Sequence, residues 1–99
     1  MSGTCLTIDS ATRSATVRGE AVELTAKEFD LLLHFANNPS RVFRRAELLD
    51  RVWGRSVYIE ERTVDVHVLR LRKVLKPFGL ESLIETVRGV GYRFSPPKP

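Results

Sequence analysis

The most informative part of this chain is Arg62-Thr-Val-Asp-Val-His-Val-Leu-Arg-Leu-Arg-Lys-Val-Leu-Lys76. Read as a helix at about 100° per residue, it places four aliphatic side chains on one stripe: Val64, Val68, Leu71 and Leu75. The opposite side carries Arg62, Thr63, Val66, Leu69, Arg70 and Lys73. The pattern therefore predicts a helix with one face on a core and a second, cationic face that offers some apolar surface to an anion.

A second basic segment, Leu83-Ile-Glu-Thr-Val-Arg-Gly-Val-Gly-Tyr-Arg-Phe94, follows downstream. Its alternation and the turn at Gly89-Val-Gly91 are typical of a β-hairpin. A basic helix followed by a basic hairpin indicates DNA that is held by two elements.

The N-terminal quarter of the chain reads as three short strands. Leu6-Thr-Ile-Asp9, Ala15-Thr-Val-Arg18 and Val22-Glu-Leu24 alternate roughly by two, with a turn at Gly19-Glu20. Thr25-Ala-Lys-Glu28 then has the spacing of a helical capping box. We expect the helix that follows to end at Asn37-Asn-Pro39 and to bury four side chains, Phe29, Leu32, Leu33 and Ala36.

The middle of the chain predicts a brief extended link at Arg41-Val-Phe43 and a second helix from about Ala46 to Trp53. In this helix Leu48, Leu49 and Val52 are expected to point inward, and Gly54 to end it. Glu60 and Glu61 suit the positive end of the third helix. That helix is expected to end at Lys76-Pro77, with Gly79 beyond it.

These elements predict an α+β fold, a winged helix-turn-helix with an N-terminal antiparallel β-sheet, three helices and a C-terminal β-hairpin wing. We expect the domain to occupy residues 6–95. Residues 1–5 are expected to be a disordered start or a cloning remnant, and residues 96–99 a disordered tail.

The net charge of +4 is unevenly distributed along the 99 residues. Residues 1–61 hold eight Lys and Arg against nine Asp and Glu, whereas residues 62–93 hold seven against three. The positive field of the C-terminal third favours a polyanionic partner.

The composition argues against other classes of protein. No apolar run approaches the ~18 residues of a membrane span, and Met1-Ser-Gly-Thr4 does not resemble a secretion signal. The single Cys5, expected at a buried strand position, excludes a disulfide framework and fits a reducing compartment. One Cys with His34 and His67 cannot form a zinc site. No acid, base and nucleophile converge, so we expect neither a metal, nor a cofactor, nor an enzyme.

Four motifs resemble the effector domain of OmpR/PhoB-type response regulators: Val52-Trp-Gly54, Glu61-Arg-Thr-Val-Asp-Val-His-Val68, Leu71-Arg-Lys73 and Thr86-Val-Arg-Gly-Val-Gly-Tyr-Arg-Phe94. The resemblance extends from about Leu6 to Phe94. It implies a bacterial, cytoplasmic transcription factor domain that binds direct repeats in promoter DNA in tandem. It also implies control by a phosphorylated receiver domain, which this sequence does not contain.

With the resemblance, the exposed helix face and the hairpin predict contacts to DNA. An arginine can pair with guanine O6 and N7 in the major groove, and a hairpin arginine can enter a narrow minor groove. Thr86 and Arg88, two apart, are expected on one face of a strand. Base contacts are expected from Arg70, Val66, Thr86 and Arg88. Phosphate contacts are expected from Arg45, Trp53, Arg62, Thr63, His67, Arg72, Lys73 and Tyr92.

Some of these side chains have a second interpretation. Arg72 lies near the buried stripe, where an internal ion pair is an alternative, and Asp65 is expected to pair with a neighbouring arginine. Val66 and Leu69 either touch thymine methyls or sugars, or are ordinary exposed apolar residues.

The aromatic residues have alternatives as well. His67 either contacts a phosphate or packs against the first helix. Trp53 either belongs to the core or donates its indole N–H to a phosphate. Tyr92 either gives its hydroxyl to a phosphate or supports the wing.

The resemblance further implies that the loop before the third helix meets the RNA polymerase sigma subunit. The residues expected there are Gly54, Val57, Ile59 and Glu61, although Tyr58 or Ile59 could equally fold back as packing. Three departures from the family pattern stand out. Leu69 replaces a basic residue, Arg44 replaces a Ser or Thr helix cap, and Ala46 replaces an acid near this loop.

A winged helix that binds proteins and has lost DNA binding is the alternative class. Its outer helix face would lack cations, and Arg62, Arg70 and Lys73 argue against it.

Overall fold

The computed structural model of this protein describes residues 6–54 and 59–95. Three helices and six strands follow one another in the order β1 (Leu6–Asp9), β2 (Ser14–Val17), β3 (Glu20–Val22), α1 (Ala26–Asn37), β4 (Val42–Arg44), α2 (Arg45–Leu48), α3 (Arg62–Leu75), β5 (Ile84–Val87) and β6 (Gly91–Phe94). The predicted α+β winged helix is thereby confirmed. The expectations for residues 1–5, including Cys5, for Val57 and Tyr58, and for residues 96–99 lie outside the described residues.

The N-terminal strands form an antiparallel sheet in the order β1-β2-β3. Leu6 pairs with Val17, and Ala15 pairs with Val22. These four side chains are buried, because alternate residues of a strand point to the same face and this face covers the core.

Helix α1 begins as the sequence predicts. The Thr25 hydroxyl accepts a hydrogen bond from the Glu28 N–H at 3.3 Å, and the Glu28 carboxylate accepts one from the Thr25 N–H at 3.4 Å. The prediction of its buried face was partly wrong. Leu33 is only half-buried, whereas Leu31 and Phe35 have no exposed surface. The helix buries a wider face because it packs against α3, the end of the second helix and β6.

Strand β4 is more than the extended link that the sequence suggested. It pairs with β6, so that the wing forms a three-stranded sheet in the order β4-β6-β5, with Phe43 opposite Tyr92. A Cβ atom on Gly91 would overlap the Phe43 carbonyl oxygen, so only glycine fits where the two backbones meet. Since α2 follows β4 directly, this pairing attaches the wing to the helix-turn-helix.

The second helix is irregular. Four α-helical residues are followed by a π-helical turn, Leu49–Trp53. Gly54 ends the helix, as predicted, and has φ of 95°. Arg44 provides no side-chain cap, but its N–H donates to the Glu47 carboxylate at 3.0 Å. Leu48 is fully buried. Leu49 and Val52 are half-buried against the core.

Helix α3 has the predicted core stripe. Val64, Val68, Leu71 and Leu75 are each 0% exposed. A 3₁₀ turn, Lys76–Phe78, extends the helix to Gly79, whose φ of 72° favours glycine. Within residues 6–54 and 59–95, no helix is long and apolar enough to cross a membrane.

Candidate nucleic-acid interface

The outer face of α3 carries cations that are free to bind a ligand. Arg62, Arg70 and Lys73 are exposed. Within the described part of the chain, none of the three has a hydrogen-bond or ion-pair partner. The opposite face of the same helix is fully buried. Helix α3 is thus fixed by its core stripe and presents its charge outward.

Apolar surface lies beside these cations. Val66 is 42% exposed and Leu69 63% exposed, one helical turn apart. They line an open groove of about 680 Å³. The other residues of this groove are Arg70, Arg72, Lys73, Lys76 and Glu81.

Arg72 does not form the internal ion pair that the sequence allowed. Its Nε donates to the Ile84 carbonyl oxygen at 2.9 Å, and its terminal nitrogen donates to the Thr86 hydroxyl at 2.7 Å. The guanidinium also stands 5.6 Å from the centre of the Tyr92 ring. The partners of Arg72 are therefore neutral groups of the wing, and the arginine ties α3 to β5.

Asp65 connects three elements and takes the arginine partner that the sequence predicted. Its carboxylate accepts from Arg45 at 3.1 Å and from the Tyr92 hydroxyl at 2.6 Å. Arg45 is also 3.9 Å from Glu61. Burial, followed by this hydrogen bond and the charge of Asp65, raises the pKa of Tyr92 to about 12. The hydroxyl proton of Tyr92 is already donated within the protein, which favours its interpretation as a support of the wing.

The tip of the wing is exposed. Thr86 lies on β5, but Arg88 does not share that strand as expected, because β5 ends at Val87 and the chain turns. Gly89 has φ of 76° in this turn, and Val90 is 48% exposed. Arg88 is therefore carried by the exposed turn between β5 and β6.

Trp53 and His67 lie together at the end of the second helix. Their rings meet edge to face at 5.1 Å, and the Lys27 ammonium lies 6.0 Å from the Trp53 ring. His67 Nδ1 is 3.0 Å from the Thr63 carbonyl oxygen, which can only accept, so this nitrogen carries the proton. The ring partner of His67 that the structure shows is Trp53 of the second helix.

The loop expected to meet polymerase is described only at its ends. Gly54 closes the second helix, Ile59 is half-buried, and Glu61 is exposed. The half-buried Ile59 fits the packing alternative.

Sequence reasoning missed Lys76 as part of this surface. Its spacing from Val66, Leu69 and Lys73 continues one stripe along α3 and the following turn. That spacing was the available signal, and the proline after Lys76 obscured it.

A winged-helix fold with unpaired cations on its outer helix and an arginine at its wing tip defines a nucleic-acid-binding module. Residues 19–94 match the family model described as "Transcriptional regulatory protein, C terminal". The chain belongs to this family, the OmpR/PhoB-type DNA-binding domains of response regulators, as the sequence motifs predicted. These domains are transcription-factor modules and not enzymes.

Two curated relatives illustrate the likeness. The transcriptional regulatory protein VxrB of Vibrio cholerae is 58% identical over 88 residues, 89% of this chain and 34% of that protein. The phosphate regulon transcriptional regulatory protein PhoB of Escherichia coli is 48% identical over 90 residues, 91% of this chain and 39% of that protein. This chain therefore spans between a third and two fifths of these relatives.

Two of the solved structures that share the fold were determined with DNA. The DNA-binding domain of Klebsiella pneumoniae RstA, in complex with the RstA box, has a TM-score of 0.85 and 37% identity over 98% of this chain and 97% of that chain. The DNA-binding domain of the response regulator AdeR, in complex with an intercistronic region, has a TM-score of 0.85 and 35% identity over 94% of this chain and 96% of that chain.

Proposed function

We propose that residues 6–95 form a domain that binds double-stranded promoter DNA with sequence specificity, as the output domain of a two-component response regulator. Helix α3 lies in the major groove and the wing tip in the minor groove. The observation that carries the proposal is the unpartnered Arg62, Arg70 and Lys73 on the solvent face of a helix whose other face is fully buried. Cations held in this way release counterions from DNA without breaking contacts of the fold.

The cations have different roles in this proposal. Arg70 lies near the middle of the outer face and reads a guanine through two hydrogen bonds. Arg62 and Lys73 contact phosphates and fix the register of the helix.

The wing and the second helix complete the interface. Arg88 enters the minor groove from the wing tip, where negative potential is strongest if the groove is narrow. No described residue accepts the Trp53 indole N–H, so that donor is available to a phosphate. Thr63 and His67 on α3, Arg45 on α2 and Thr86 on β5 give further contacts. Arg72 and Tyr92 act mainly by holding the wing, since their donors already bond within the protein.

Two substitutions test the division of roles. After selection of a bound duplex from a random library, Arg70→Ala should lose about 1–3 kcal/mol on that site and relax the preference at one position. Lys73→Ala should weaken selected and unrelated duplexes equally, and reduce the salt dependence of binding. Loss of affinity in both variants with no change in preference would contradict the role of Arg70.

A matched control is available in the turn between β2 and β3. Arg18 is exposed there with φ of 50°, which asparagine tolerates well. Arg18→Asn removes one cation outside the α3–wing surface, so its salt slope should stay that of the unaltered protein. An equal fall in slope would show that total charge, and not this surface, determines binding.

We further propose that the domain binds direct repeats in tandem in the bacterial cytoplasm, under control of a receiver domain. The resemblance supports this, together with the partial coverage of the longer relatives. Footprints on duplexes with one and with two half-sites test it: two half-sites in direct orientation should be filled with positive cooperativity, and inverted ones should not.

The contact with the polymerase sigma subunit remains a separate proposal, assigned to Gly54, Val57, Ile59 and Glu61. Its support is the resemblance and the exposure of Glu61. Substitution of Val57 and Glu61 should abolish activated transcription in vitro and leave operator footprints unchanged. A parallel loss of DNA binding would show that these residues serve the DNA interface.

A further inference from the structure

We propose that Leu69 makes this domain select a thymine at one base pair of its site, through contact with the thymine C5 methyl group. The inference rests on the proposed function, because it assigns a specificity to the DNA-binding face of α3. It concerns a residue at which this chain carries an apolar side chain among cations.

The first support is the placement of apolar surface on that face. Leu69 is 63% exposed and Val66, one turn earlier, is 42% exposed. Both line the 680 Å³ groove with Lys73 and Lys76, whose methylene stems extend its apolar wall. An apolar patch that continues along a cationic helix face suits a ligand with both negative charge and exposed hydrocarbon.

The second support is the chemistry of the major groove. Thymine is the base that presents a methyl group there, and the other base edges present hydrogen-bonding groups. Leucine can neither donate nor accept, so its favourable contact in the groove is with hydrocarbon. A leucine that instead faced a polar base edge would strip water from it without replacing the hydrogen bonds.

The third support is the position of Leu69 relative to Arg70. Viewed down the helix at about 100° per residue, Leu69 lies about 60° to one side of Val66, and Arg70 about 40° to the other. The two side chains therefore reach different base pairs. The guanine read by Arg70 and the thymine read by Leu69 are separate elements of the site.

Uracil substitution tests the proposal with the loss of a single methyl group. In the selected duplex, each thymine is replaced in turn by deoxyuridine, which keeps the hydrogen-bonding edge. At one position the unaltered protein should lose about fourfold in affinity, the value of one buried methyl or methylene. Leu69→Ala and Leu69→Gln should bind the thymine and uracil duplexes equally at that position. Both should fold, because Leu69 is exposed.

Arg18→Asn is the control, since it lies outside the α3–wing surface and should keep the uracil sensitivity. Insensitivity of the unaltered protein at every thymine would overturn the inference and leave the proposed function standing. Persistence of the sensitivity in both Leu69 variants would overturn it as well. Failure to bind any duplex would overturn the proposed function together with this inference.

Discussion

Removal of the Asp65 carboxylate should loosen the wing from α3 and destabilise the domain. Asp65→Ala deletes the hydrogen bond from the Tyr92 hydroxyl, at 2.6 Å, and the ion pair with Arg45, at 3.1 Å. Tyr92→Phe deletes only the first of these contacts and keeps the ring, over which the Arg72 guanidinium lies. The pair of variants therefore separates the hydrogen bond from the ion pair.

The expected loss in the free energy of unfolding follows from the geometry and the exposure of the groups. A hydrogen bond to a charged group contributes about 1.5–3 kcal/mol, and the lower end applies because the Asp65 side chain is 37% exposed. The ion pair adds less than about 1 kcal/mol, since the Arg45 side chain is 44% exposed. We expect Asp65→Ala to lower the free energy of unfolding by about 2 kcal/mol, and Tm by roughly 8–16 °C. Tyr92→Phe should lower the free energy by about 1.5 kcal/mol.

Urea unfolding, followed by the fluorescence of the single Trp53, measures both variants and their combination. The double variant should show a coupling energy of about 1–2 kcal/mol, because both substitutions remove the same hydrogen bond. Asp30→Ala is the control. It breaks a partly exposed ion pair with Arg13 and should cost less than about 1 kcal/mol. Strict additivity of Asp65→Ala and Tyr92→Phe would refute the proposed connection between α3 and the wing.

Three further outcomes follow from the structure. Leu69→Arg should bind DNA more tightly at low salt with a steeper salt slope and an unchanged Tm, since Leu69 is exposed; unfolding would contradict that placement. The pKa of Tyr92 is raised to about 12, so stability should fall as pH rises from 10 towards 12, and Asp65→Asn should lower the pH of phenolate formation seen by absorbance. Burial, aided by the charges of Arg51 and Arg41, lowers the pKa of His34. The contribution of neutral His34 to the free energy of unfolding should therefore be fully present above the ordinary pKa near 6.5, and should decline as pH falls below it. His34→Phe, which keeps a ring against Phe43, should weaken that acid decline in urea titrations, and an unchanged decline would assign it to other groups.

The parts of the fold that the sequence predicted are those with a local cause. The α3 stripe repeats at helical spacing, and all four of its residues are buried. The capping box depends on two residues three apart, Thr25 and Glu28. Each of these patterns needs no knowledge of a distant partner.

The features of the fold that the sequence did not predict depend on contacts with distant residues, or lie in a run of consecutive leucines. Strand β4 has three residues, and its pairing with β6 shows only in three dimensions. The run Leu31-Leu32-Leu33 has no helical period of its own, so the sequence does not show that Leu31 is buried and Leu33 only half-buried.

The candidate site shows the same limit. Its free cations follow from helical spacing, but the contacts that engage other side chains do not. Arg72 donates to a backbone carbonyl oxygen, and a backbone acceptor cannot be identified from the residue types in the sequence. Tyr92 and Asp65 are separated by 27 positions, and only the folded wing brings them together.

The pairing of β4 with β6 at Gly91 relates the position of the second helix to that of the wing. Because the strand that leads into α2 is hydrogen-bonded to the inner strand of the wing, this pairing opposes hinge motion between the second helix and the wing. The major groove and the neighbouring minor groove of B-DNA are separated by half a helical turn, about five base pairs. In the proposed complex, an operator lengthened by a single base pair between these grooves should bind less tightly, because one contact is shifted by about 3.4 Å along the axis. If the proposed contacts are made, the distance between the two grooves contributes to recognition of the site alongside the bases themselves.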